Sequence, residues 1–147
     1  MQVPVSVPVL RPEDLRKISD DIEMAKVHEA LSRKQKEEEE HDKLRQAFMQ
    51  EDIPTNVTEL VNASVRRVAE QNRNELMVMS FPSGWCSDRG RAINNGDPGW
   101  PSSLQGRAKK ALEFYETDLK PLGYKARAQI LNYPDGMPGD VGLFLSW

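Results

Sequence analysis

At 147 residues the chain is long enough for one domain with a core of its own, and with 38% hydrophobic residues no window reaches the 18 apolar residues of a membrane-spanning helix. A formal net charge of −3 lacks the basic excess of a nucleic-acid groove. One cysteine cannot form an internal disulfide, and with two histidines it cannot complete a closed structural zinc site.

The charge is unevenly placed. Residues 1–54 carry 9 Lys/Arg against 13 Asp/Glu, and residues 55–147 carry 11 against 10. An acidic extension over 1–54 and a compact α+β domain over 55–147 are therefore expected. The opening MQVPVSVPVL has neither a basic n-region nor a continuous apolar run, so it does not read as a signal peptide. A soluble, cytoplasmic protein is the expectation.

In chain order, QVPVSVPVL alternates valine with proline or serine. Pro4 and Pro8 remove backbone donors, which suits an extended arm or an edge strand. Residues 12–50 predict a long charged helix. Pro12 fits its first turn, and Glu13 and Asp14 suit the positive end of the helix dipole. Leu15, Ile18, Ile22 and Ala25 recur at helical spacing, and Val27 and Leu31 read as a continuation of that face after a slight phase shift. SRKQKEEEEHDK at 32–43 then has no large apolar side chain, and Leu44, Ala47 and Phe48 restore the pattern. The seam is too short for a regular coiled coil. It suits a protruding helix that meets a second copy or docks on a partner.

A second helix is predicted over 57–72, with Asn56 and Glu59 as a capping box and Leu60, Val61, Val65 and Val68 on one side. Residues 75–81 contain the apolar run LMVM, closed by Pro82, and predict a strand buried on both faces. A third helix is predicted over 102–119, opened by a capping box of Ser102 and Gln105. Alternation over 124–133 and a last run at 141–147 predict an antiparallel hairpin around PDGMPGD. The fold class is α+β, a small mixed or antiparallel sheet of about three strands with helices on one face. A right-handed crossover would join the first two strands if they are parallel neighbours.

The connection at 83–101 raises the functional question. It holds Cys86, Trp85 and Trp100 with Asp88, Arg89, Arg91, Asn94, Asn95 and Asp97. Long connections in compact domains are either functional or packed by their own side chains. These eight residues other than the cysteine are the candidate lining of a ligand or partner site. Cys86 with Arg89 and Arg91 is a second possibility, a reactive thiol beside cations. It departs from the phosphatase pattern, because position 92 is alanine. Trp85 and Trp100 around the arginines give a third, single-strand nucleic-acid binding, which the near-neutral charge disfavours. His28-Glu29 fails the zincin motif because Ser32 stands where its second histidine belongs. Glu37 and His41, one turn apart, read as a solvated charge run rather than a metal pair. No Walker lysine and no dinucleotide-binding glycine motif occurs, so no cofactor is expected. The leading expectation is a non-catalytic interaction or adaptor protein. It would self-associate or dock through its N-terminal helix and present the 83–101 loop to a protein partner.

Overall fold

A computed structural model describes residues 7–147. The order is α1 (Pro12–Gln50), α2 (Val57–Glu70), β1 (Glu75–Pro82), a short α3 (Arg91–Asn94), α4 (Gly106–Phe114), β2 (Lys125–Ile130) and β3 (Asp140–Ser146). The chain divides into two compact units, Met1–Leu44 and Arg45–Trp147. The second takes in the last six residues of α1, ahead of the expected boundary at 54/55. The first half of the expected arm lies outside the described residues, and 7–11 carry no regular structure. No described helix is long and apolar enough to cross a membrane.

In the first unit, α1 runs unbroken through the charged stretch at 32–43. At the start of that stretch Arg33 lies 3.8 Å from Glu29, one turn earlier. Because the helix is continuous, each residue turns about 100° from the last. Leu15, Ile18 and Ile22 then share one face, while Met24, Val27 and Leu31 fall roughly opposite. The slight phase shift expected from the sequence is a change of face. All six side chains are exposed.

The second unit is a three-stranded antiparallel sheet in the order β1-β3-β2. The sheet is antiparallel rather than mixed, and β3 lies between the first two strands, so no crossover joins neighbours. Leu76, Met79 and Phe81 of β1 align with Leu145, Leu143 and Val141 of β3. Ala126, Ala128 and Ile130 of β2 align with the same three residues. That shared face is the core side. Phe48 from the end of α1 packs on it, its ring 5.1 Å from Phe81 and 4.9 Å from Trp85. Ala108 of α4 and Val141 are fully buried.

The opposite face stays open. The strand predicted to be buried on both sides is therefore an edge strand with Met77 and Val78 exposed, and a bulge at Val78 breaks its register. Arg127 spans the open face, holding both Glu75 oxygens at 2.6 and 2.8 Å and lying 4.1 Å from the Phe144 ring centroid. The hydrogen bonds from Arg127 hold the Glu75 carboxyl below its usual range.

The helix starts differ from those read in the sequence. Neither Asn56 nor Gln105, the N-caps of α2 and α4, makes a side-chain capping bond. Ser102 Oγ donates instead to Gly99 O at 2.8 Å, which closes a 3-10 turn over Trp100–Ser103. The third helix thus begins at Gly106. It widens into a π turn over Tyr115–Leu119 and ends at Gly123 with φ 103°. Gly106 itself has φ +56° and lies against the backbone of Phe48 and Met49. That close approach seats the end of α1 on the start of α4.

Candidate functional site

The 83–101 connection is a packed segment. Trp85, Cys86 and Ile93 enter the core, and Ser83 is buried beside them. Asp88 organises the turn. Its two carboxylate oxygens accept the Gly90 and Ala92 N–H groups, each at 2.9 Å, at the start of α3. Asp97 Oδ1 accepts the Gly99 N–H at 2.7 Å, and Asn94 Oδ1 accepts the Tyr133 hydroxyl at 2.8 Å. Arg89 has φ +59°, and the side chains of Arg89, Arg91 and Asn95 are exposed. Three of the six polar residues named from the sequence are thus engaged in holding the segment's own conformation.

The chemistry of Cys86 follows from its surroundings. The residue is 3% exposed. Burial, followed by the negative charge of Asp88, pushes its thiol up to about 11. At neutral pH it is a protonated, core-forming group, unlike a low-pKa nucleophile. Trp85 is buried too, its ring tilted 45° against Phe48, and does not offer an exposed platform for a base. Among the described residues no cluster of three or more His, Cys, Asp or Glu side chains can hold a metal ion.

The concave site lies elsewhere in the same unit. An apolar groove of about 290 Å³ opens between α2, the core face of the sheet and α4, a volume near the lower end of the range for ligand pockets. Val57, Leu60 and Val61 of α2 form one wall, and Ala111, Leu112 and Tyr115 form the other. Leu76, Leu143 and Leu145 lie along the floor. The groove exists because α2 presents more apolar surface than it buries. Val68 is its one buried residue, and Leu60 remains 47% exposed.

Trp100 also lines the groove, partly buried. It is the one sequence-derived candidate brought there; the remaining seven lie outside it. The lining contains no histidine, cysteine or carboxylate. Its charged members are arginines. Arg67 extends from α2 and has no ion pair among the described residues, while Arg107 of α4 lies 3.7 Å from Glu51. Arg127 is engaged on the other face of the sheet. The groove presents apolar surface beside positive charge, with Ser64 and Tyr115 as its hydroxyl-bearing members, and the Tyr115 hydroxyl donates to Tyr124 O at 2.9 Å. The relevant signal in the sequence is the apolar side of the second helix, Leu60, Val61, Val65 and Val68, which does not show how much of itself the rest of the unit covers. No family model, curated protein or solved structure matches the chain.

Proposed function

We propose that the chain is a non-catalytic interaction protein, soluble and cytoplasmic, whose compact unit receives an apolar partner segment in the α2–β1–α4 groove. The observation that carries this reading is the groove itself, apolar on three sides, open to solvent and bordered by Arg67 and Arg107. Helical ligands bind such grooves by inserting side chains spaced i, i+3 and i+7. The docking role of the N-terminal helix stays part of the proposal, because α1 exposes apolar side chains on two faces. Partner binding moves from the 83–101 loop to the groove, and Trp100 belongs to both.

The test uses anilinonaphthalene sulfonate, an aromatic anion that matches apolar walls beside arginine. Its fluorescence rises with the full-length Ile18→Asp chain, in which the apolar face of the N-terminal helix is interrupted and does not compete for the groove, and adding Leu60→Asp weakens that binding by about tenfold or more, as loss of a central apolar contact does. Leu60 is half exposed, so the change leaves the core intact. Dye binding unaltered by Leu60→Asp would remove the groove from the account.

A further inference from the structure

The groove and the start of the N-terminal helix are complementary in charge and share apolar character. The segment 13–23, EDLRKISDDIE, is helical and places Leu15, Ile18 and Ile22 on one face at i, i+3 and i+7. Asp14 and Asp21 flank that face, and the segment as a whole carries five carboxylates against Arg16 and Lys17. The groove has the converse character, apolar with arginines at its edges and no carboxylate in its lining. Electrostatic complementarity of this kind selects the partner and fixes its orientation more than it adds affinity.

Resting on the groove reading above, we propose that the occupant is the 13–23 helix of a second copy of this chain, exchanged reciprocally in a homodimer. Reciprocal exchange gives the closed two-fold arrangement that most soluble oligomers adopt. It covers three apolar side chains and one groove per chain.

The test is light scattering on the full chain and two full-length variants. Wild type elutes at twice the 16.7 kDa chain mass when loaded at about 50 µM. Ile18→Asp, on the surface of α1, and Leu60→Asp, in the groove, each give monomers. Mixing the two monomers restores a dimer, because each mixed pair keeps one intact helix-in-groove contact. A wild-type monomer overturns the proposal. So does Leu60→Asp that stays dimeric, which places the contact between helices, and so does a mixture that stays monomeric. Dye binding in the groove of a monomeric wild type would reject the exchanged dimer while leaving the groove reading in place.

Discussion

Gly106→Ala tests how the end of α1 is joined to the compact unit. A β-carbon there would lie 2.5 Å from the Phe48 carbonyl oxygen and 2.7 Å from Met49 Cα. Both are backbone atoms, so no side chain can swing aside. The left-handed conformation, φ +56°, adds about 1 kcal/mol for any residue with a β-carbon. Relieving the overlap costs about 1–3 kcal/mol more, as for other insertions into packed sites. The total is about 2–4 kcal/mol, or a fall in Tm of roughly 10 °C or more for a unit of this size. The assay is thermal unfolding followed by tryptophan fluorescence, since the Trp85 ring packs against Phe48. Near-native signal at low temperature with the lowered Tm is the expected result. A Gly106→Ala protein that melts within about 2 °C of wild type would refute the close packing of α1 on α4.

Other outcomes follow from the same geometry. Asp88→Ala removes two backbone N–H acceptors and is expected to cost about 1–2 kcal/mol, with faster amide exchange confined to residues near Gly90 and Ala92; unchanged exchange there would contradict its role. Cys86 is expected to resist iodoacetamide at pH 8 in the native protein and to react quickly once unfolded. Its thiol pKa is raised in the folded state from 9.0 to about 11, so the unfolded chain releases its proton first. The thiol's contribution to stability is therefore complete below pH 9 and is lost as pH rises toward 11, and Cys86→Ala is expected to flatten that decline in a denaturant series. The Glu75 carboxyl, lowered by Arg127, acts in the opposite sense. Its contribution is present above the ordinary carboxylate range and disappears as pH falls through the lowered folded value, so Glu75→Gln should reduce the acid-side loss of stability.

The sequence was informative wherever local pattern and tertiary packing agree. Alternation in KARAQI places Ala126, Ala128 and Ile130 on the covered face, as observed. Pro12, Glu13 and Asp14 mark the start of α1. It was less informative where a local signal competes with long-range packing. The Ser102/Gln105 box is displaced because Trp100 draws the preceding turn into a 3-10 coil with its own serine bonds. LMVM in β1 read as doubly buried because consecutive apolar residues do not reveal a bulge or an uncovered sheet face. The polar residues of 83–101 resembled a site lining, yet Asp88, Asn94 and Asp97 use their acceptors to close turns and tie down Tyr133. The groove was hidden for a related reason. An apolar helix face looks the same in sequence whether the body of the protein covers all of it or only part.

The most direct test of the binding surface is to titrate a synthetic peptide of residues 11–26 into the full-length Ile18→Asp chain and follow backbone amide shifts. Shifts that trace Leu60, Leu76 and Ala111 around the groove are the expected result. Shifts confined to residues 88–97, or none at all, would contradict the assignment of the groove as the place where this protein meets its partner.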